Sequence, residues 1–182
     1  EGAPSLRILQ VSAFFPSKGG GIEVVAHQLS RSLARLGHRV THVAGSATEE
    51  DHRLAGSEYR LLDSEAVDVL GPRVGLPMPL WSLGSLRSLW RAVAENDVVH
   101  FHDYLYLPCL AAFLFARWQR KKVVVTQHIG EIPFDGRFKN ALLRTLNLRL
   151  GVPVLRRCDA VVFVGDNVHD YFTHLAPALG WR

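Results

Sequence analysis

Short apolar runs alternate along the chain with segments in which apolar residues recur at helical spacing. The first run, Leu6 to Phe15, is closed by Pro16, and this predicts a buried strand. After three glycines, apolar residues recur at i, i+3, i+4 and i+7, which predicts a helix that buries one apolar face. The members of that face are Ile22, Val25, Ala26, Leu29, Leu33 and Leu36.

The same alternation continues along the chain and predicts an α/β fold built on a parallel sheet. Further strands are predicted at 39–45, 59–62, 67–70, 97–102, 123–126 and 160–164. Further helices are predicted at 82–94, 106–118, 137–150 and 167–175. The helix at 82–94 is predicted to bury Leu83, Leu86, Leu89, Trp90 and Val93. Loops are predicted at 46–57, 71–79 and 129–136.

Composition narrows the class of protein. The chain has 182 residues, 48% of them hydrophobic and 21% charged, so we expect a single globular domain over residues 1–182. A net charge of +4 is too modest to indicate a nucleic-acid partner. Cys109 and Cys158 both lie in apolar contexts, which favours free thiols and a cytoplasmic protein. The longest apolar run, Tyr104 to Ala116, is too short to span a bilayer.

Three consecutive glycines, Gly19 to Gly21, join the first strand to the first helix. They allow positive φ in a tight turn, and they leave the backbone N–H groups at the helix start open to a ligand. No Ser, Thr, Asp or Asn immediately precedes Ile22 as a cap, so the positive end of the helix can attract a phosphate or carboxylate. A turn without a ligand is an equally good interpretation of the glycines alone. Their spacing matches neither the dinucleotide-binding fingerprint nor the P-loop.

The segment Pro16-Ser17-Lys18-Gly19-Gly20-Gly21-Ile22-Glu23 resembles the first βα turn of the GT-B glycosyltransferases, in particular the retaining enzymes of family 4. The resemblance implies a Rossmann-like, doubly wound, mainly parallel sheet with helices on both faces. It also implies that this turn contacts the acceptor and lies close to the donor diphosphate. The residues concerned are Lys18, Gly19, Gly20, Gly21 and Glu23. An acid in a helix's first turn complements the dipole whatever the function, so we interpret Glu23 as more structural than catalytic.

Polar residues gather where the predicted strands end, which is the edge at which open parallel sheets bind ligands. His100 and His102 are two residues apart and therefore face the same side of one strand, while His128 and Glu131 follow the next strand. The sequences Asp-Val-Val-His-x-His and Thr-x-His at these ends are again similar to family 4. By that resemblance His102 and His128 line the acceptor side of the cleft, with His128 nearest the sugar and diphosphate, and Glu131 joins them. We expect His100 to be a core histidine.

Two further chemistries concern the same edge of the sheet. Asp103 is the carboxylate available as a general base, although binding of acceptor hydroxyls is the fairer assignment, since retaining GT-B enzymes have no agreed protein nucleophile. A metal site on His100, His102 and His128 is the weaker interpretation, because nothing in the sequence completes the ligand set. We therefore predict no metal and no cofactor, with His128 and Asp103 as the catalytic candidates.

The resemblance covers essentially the whole chain, yet GT-B enzymes have two Rossmann-like domains. This chain matches the N-terminal, acceptor-side domain, and the C-terminal donor-binding domain is not in it. The resemblance thus implies half of a glycosyltransferase that uses a UDP-, GDP- or ADP-sugar and a carbohydrate or lipid-linked acceptor, with little activity in this chain alone. A stand-alone phosphate- or nucleotide-binding module, and a sugar-nucleotide epimerase or hydrolase of GT-B architecture, remain as alternatives.

The segment from 137 to 157 is basic and rich in leucine. It contains Arg137, Lys139, Arg144, Arg149, Arg156 and Arg157 and no acid. One interpretation is peripheral contact with an anionic membrane at its inner face. The other, which we favour, is that the leucines face the sheet and the basic residues face water.

Overall fold

A computed structural model describes residues 4–68, 79–131 and 137–177. The strands are β1 Arg7–Phe14, β2 Arg39–Gly45, β3 Arg60–Ser64, β4 Ala66–Asp68, β5 Pro79–Trp81, β6 Val98–His102, β7 Lys122–Gln127 and β8 Ala160–Phe163. Six of them form one sheet in the order β3-β2-β1-β6-β7-β8, and every pair in it is parallel. The strands β4 and β5 form a small antiparallel ribbon.

Helices connect the strands of the main sheet. They are α1 Gly21–Arg35, α2 Glu49–Ala55, α3 Leu83–Glu95, α4 Leu107–Trp118, α5 Arg137–Leu146, α6 Val152–Arg156 and α7 Asp166–Leu175. The strand order reverses at β1, so right-handed crossovers place α1 and α4 on opposite faces of the sheet. The structure therefore confirms the prediction of a Rossmann-like, doubly wound α/β fold.

The two faces of the sheet differ in chemistry. On the face toward α3 and α4, alternate strand residues form a continuous apolar core that includes Leu9, Val11, Val99, Phe101 and Val125, all fully buried. On the face toward α1, the intervening residues of the same strands are largely polar. They are Gln10, Ser12, His42, His100, His102 and Thr126, all of them buried. Because side chains alternate along a strand, one sequence stretch supplies both faces.

The polar face explains why the predicted apolar side of α1 is wrong. The fully or nearly fully buried residues of α1 are Glu23, Ala26, His27 and Ser30. By contrast, Val25 is 41% and Leu36 is 74% exposed. The helix packs against the polar side of the sheet, where His27 forms a hydrogen bond of 2.9 Å between its Nδ1 and the Tyr59 hydroxyl.

Three other predictions need correction or fall outside the described residues. The segment 46–57 contains the short helix α2, which begins with a capping box between Thr48 and Asp51. On α3 the exposed fractions are 85% for Leu83 and 37% for Trp90, because Ser85, Leu89, Ala92 and Val93 form the buried side. The predicted loop positions 71–78 and 132–136 lie outside the described part of the chain.

The basic segment also differs from the favoured interpretation. Leu142, Leu146 and Leu148 are 50%, 41% and 41% exposed, whereas Leu143 is buried. The helix α5 passes at Leu146 into a π-helical segment, Asn147–Gly151, and that segment leads into α6, whose apolar residues pack into the core. Since α6 supplies the packing, α5 leaves much of its leucine side uncovered. No helix in the described part of the chain is long and apolar enough to cross a bilayer.

Candidate functional site

The glycine turn has the backbone that its sequence predicts. A 3-10 turn, Pro16–Lys18, ends at Gly19 with φ of 77°, and Gly20 is extended at the start of α1. No side chain in the described part of the chain caps this helix start. At Gly19 and Gly21, no described atom lies within 4 Å of the place that a Cβ would occupy. The turn is therefore open at both positions, and only glycine adopts the Gly19 conformation without strain.

The chain's own Glu23 carboxylate lies beside this turn. A Cβ on Gly20 would collide with that carboxylate, so glycine is required there for space. Glu23 is buried, and this burial raises its pKa. Lys18, by contrast, is exposed, with its Nζ 5.4 Å from the centre of the Phe14 ring. The turn thus places an exposed cation and a buried acid beside a helix N-terminus.

Three histidines form a row behind and at the carboxyl ends of β6 and β7. The rings of His100 and His102 stack with centroids 5.0 Å apart, and His102 Nδ1 lies 3.1 Å from His128 Nε2. The Gln10 amide bridges the first two rings, with its Oε1 2.9 Å from His102 Nε2 and its Nε2 3.3 Å from His100 Nδ1. The far end is Thr126, whose Oγ1 lies 2.8 Å from His100 Nε2. His100 is in the core, as expected.

Depth separates these histidines into two roles. His102 is fully buried and His128 is half-buried, so only His128 of this pair reaches the cleft, whereas the resemblance implied that both line it. Burial lowers the pKa of His102 well below its ordinary value and lowers the pKa of both His100 and His128 to about 4. All three rings are therefore neutral at neutral pH.

Asp103 is fully buried and ties the ends of β6 and β7 together. Its carboxylate accepts hydrogen bonds from the backbone N–H groups of Leu105 and Ile129, both at 3.0 Å, and from Gln127 Nε2 at 2.9 Å. Burial raises its pKa to about 6. The backbone of Asp103 has φ of 67°. The carboxylate thus fixes the loop that carries His128 and has no surface on the cleft.

The cleft lies between the loop after β7 and the helix α7. It has a volume of about 780 Å³ and is lined by His128, Ile129, Gly130, Glu131, Asn167, Val168, Tyr171 and His174. A neighbouring pocket of about 430 Å³, between α5 and α7, shares Glu131, Tyr171 and His174 with it. Glu131 is exposed at this edge. The α7 residues were not predicted, although Asn167 follows a predicted strand end, the signal that identified His128.

A buried pair of hydrogen bonds holds the far wall of the cleft. The Tyr104 hydroxyl donates to Asn147 Oδ1 at 2.5 Å, and Asn147 Nδ2 donates to the Tyr171 hydroxyl at 2.7 Å. Asn147 opens the π-helical segment, and such segments often occur at functional sites. Within the described residues, no group of three or more His, Cys, Asp or Glu side chains has the arrangement needed to hold a metal ion.

Comparison with known proteins gives consistent results. The family model for Glycosyltransferase Family 4 matches residues 19–178. A phosphatidylinositol N-acetylglucosaminyltransferase protein of Arabidopsis thaliana is 30% identical over 128 residues, which are 69% of this chain and 28% of that protein. MurG of Acinetobacter baumannii aligns with 91% of this chain and 42% of its own at a TM-score of 0.57 and 16% identity. Anabaena Alr3699/HepE, solved with UDP, aligns with 94% of this chain and 41% of its own at a TM-score of 0.62 and 15% identity.

These similarities concern part of each relative. The chain spans 28% of the length of the plant protein and 42% or less of each of the two solved structures. At 16% and 15% identity, the two structures show a shared fold and no shared chemistry.

Proposed function

Because the chain belongs to glycosyltransferase family 4, we propose that its protein transfers a sugar from a nucleotide-sugar donor to an acceptor hydroxyl, with retention at the anomeric carbon. The observation that carries the proposal is the neutral, half-buried His128 at a cleft beyond the carboxyl end of β7. Ligands bind at this edge in open parallel sheets. The chain supplies the acceptor-side domain, and a C-terminal domain outside residues 1–182 supplies most of the donor site.

The donor is a UDP-, GDP- or ADP-sugar. In support, the structural neighbour Alr3699/HepE has been solved with UDP and with UDP-glucose. The open backbone at Gly19 and Gly21, the helix start and the exposed Lys18 suit a diphosphate or a charged acceptor group. Because Glu23 is buried beside the same turn with a raised pKa, an anion there favours its protonated form.

The acceptor is a carbohydrate or a lipid-linked polyol. The name of the plant relative describes transfer to a phosphatidylinositol, which supports a lipid acceptor. The cleft and the pocket beside it combine the polar groups of Glu131, His174 and Tyr171 with the apolar side chains of Leu143 and Leu175. That mixture suits a sugar or inositol ring, whose faces are apolar and whose edges carry hydroxyls.

Chemistry at this cleft depends on positioning. We assign His128 to contact the reacting sugar, Glu131 to bind acceptor hydroxyls, and Asp103 to hold the His128 loop through its buried hydrogen bonds. His102 supports His128 from behind. Holding the acceptor hydroxyl against the anomeric carbon and stabilising the leaving diphosphate supply most of the rate enhancement.

The test is a transfer assay on the full-length protein with each of the three nucleotide-sugar classes. We expect transfer with one of them, retention in the glycoside by NMR, and a loss of about 10²-fold or more in kcat/KM for His128→Ala. The matched control is His52→Ala, an exposed histidine on α2. Equal losses in both variants, or no loss in His128→Ala, would contradict the assignment of His128.

The product separates the alternatives. Free sugar or an epimerised nucleotide-sugar instead of a glycoside would indicate a hydrolase or an epimerase. The chain of 182 residues alone should transfer little or no sugar. Tight nucleotide binding by this chain alone, together with no transfer by the full-length protein, would favour a stand-alone binding module.

We further propose that α5 contacts an anionic membrane. Leu142 and Leu146 are one helical turn apart and exposed, with Lys139 and Arg149 exposed three residues before and after them. Such a side combines apolar insertion with attraction to acidic lipid headgroups. The chain should sediment with vesicles containing an anionic phospholipid at low salt, and the double variant Leu142→Ser, Leu146→Ser should lose most of this binding.

The control for the membrane test is Leu114→Ser, since Leu114 is 55% exposed on α4. It should sediment like the unchanged chain. Absence of vesicle binding in the unchanged chain would refute membrane contact without affecting the proposal for the cleft.

A further inference from the structure

The geometry points to Gln10 as a positioning residue that determines which ring nitrogen of His128 carries the proton. The inference rests on the proposed role of His128 at the cleft. Gln10 lies on β1 and is fully buried, and it reaches His128 only through His102. Nothing about the glycine turn or α7 enters the argument.

The hydrogen bonds run in one direction along the row. Gln10 Oε1 only accepts, so the 2.9 Å contact requires a proton on His102 Nε2. A neutral His102 then has a lone pair on Nδ1, and the 3.1 Å contact requires His128 to donate through Nε2–H. Toward the other end, Gln10 Nε2 donates to His100 Nδ1, and His100 Nε2–H donates to the Thr126 hydroxyl. Each link therefore has one donor and one acceptor.

Gln10 is the member of the row that sets this direction. A neutral histidine exchanges its donor and acceptor by moving a proton, and the Thr126 hydroxyl both donates and accepts. The Gln10 amide changes roles only by rotating, which would reverse every bond in the row. The orientation with Oε1 toward His102 leaves Nδ1 of His128 as the nitrogen with a free lone pair.

The burial of the rings supports the neutral state on which this logic depends. Desolvation lowers the pKa of all three histidines, and nearby histidines lower that of His102 further. A protonated ring at any position of the row would donate from both nitrogens, and a single direction would no longer be defined.

The consequence is a chemical preference at the cleft. With Nδ1 unprotonated, His128 accepts a hydrogen bond from its ligand and does not donate one. It therefore suits a sugar or polyol hydroxyl and disfavours a phosphate oxygen, which needs a donor. By this inference, the diphosphate depends on other groups, and His128 recognises a hydroxyl.

The test is long-range ¹H–¹⁵N NMR of the histidine rings in the ¹⁵N-labelled chain, which distinguishes the two neutral tautomers. The His128→Gln variant identifies the His128 signals among the nine histidines. We expect the proton of His128 on Nε2. A proton mainly on Nδ1 would overturn the inference, and this outcome does not depend on any transferase activity.

A variant at Gln10 tests its role directly. Gln10→Met keeps the length of the side chain but offers His102 no acceptor, so the preference of His128 for the Nε2–H tautomer should fall about fivefold, the equivalent of one hydrogen bond. Gln10→Glu restores an acceptor and should return the tautomer ratio of His128 toward its original value. If Gln10→Met does not fold, the result for Gln10→Glu and for the unchanged chain still decides.

The matched control is Ser12→Ala. Ser12 is buried on the same side of β1, and its hydroxyl lies 2.8 Å from His42 Nε2, outside the row. It should leave the tautomer of His128 unchanged. An equal shift in Ser12→Ala and Gln10→Met, or no shift in Gln10→Met, would show that Gln10 does not set the tautomer.

Discussion

The two faces of the central sheet are made by alternate residues of the same strands, yet they have different chemistry. On β6, Val99 and Phe101 enter the apolar core, while His100 and His102 between and beside them enter the hydrogen-bonded row. The apolar face gains its stability from area removed from water. The polar face must satisfy each buried group with a partner, and it passes directly to His128 at the cleft. The difference indicates that one face stabilises the fold and the other prepares the site.

The strongest test of the contrast is Phe101→Ala on the apolar face. Phe101 is fully buried against Phe113, so its truncation should lower the free energy of unfolding by about 3–5 kcal/mol. The measurement is urea denaturation followed by circular dichroism. His128→Ala, with a half-buried side chain, should cost less than half as much. Similar losses would mean that the two faces do not differ in this way.

Acidification should unfold the chain through its polar face. Burial lowers the pKa of His42 to about 3 and of His100 and His128 to about 4, so these rings bind protons in the unfolded chain before they do in the folded one. Their stability is complete above the unfolded pKa of about 6.5 and is lost as pH falls toward 4. Asp103, whose pKa is raised to about 6, acts in the opposite direction but is one group against several.

The expected slope is at least about 1.4 kcal/mol per pH unit between pH 6 and 5, the contribution of one such histidine. Urea midpoints at several pH values measure it. The exposed-histidine variant His52→Ala should keep this slope. A stability that stays constant over this range would show that the buried histidines do not resist protonation.

Gly20→Ala tests the crowding at the start of α1. Its new Cβ would meet the Glu23 carboxylate, so we expect a loss of about 1–3 kcal/mol in unfolding free energy. In the Glu23→Ala background the same change should cost much less, because the colliding group is gone. A double-mutant cycle by urea denaturation gives the difference. Equal costs in both backgrounds would contradict the contact.

The smallest expected effect is that of Thr48→Ala at the start of α2. Thr48 and Asp51 form the capping box, whose loss typically costs about 1 kcal/mol. This helix lies at the edge of the fold, so the change should leave the histidine tautomers of the polar face unaltered. A Thr48→Ser variant should retain most of the stability. A loss above about 3 kcal/mol would mean that α2 contributes more to the fold than its cap.

The candidate site was predictable where it depends on strand ends. His128 was identified because it follows a strand in a parallel α/β pattern, and the structure places it at the cleft. The depth of His102 was not predictable, because it depends on Gln10 and His128, which lie far from it in sequence. The cleft wall from Tyr171 and His174 was missed for the same reason, since α7 meets the β7 loop only through the order of strands.

The sequence by itself determined the series of strands and helices, the open glycine turn and the family. Hydrophobic periodicity, turn residues and short motifs are local properties, so they can be read without knowing which elements meet. Only the tertiary structure decided which side of each helix is buried. α1 buries Glu23, His27 and Ser30 because it packs on the polar face, and α5 exposes Leu142 because α6 supplies the packing. Burial and hydrogen bonding arise from contacts between distant residues, and those contacts exist only in the folded chain.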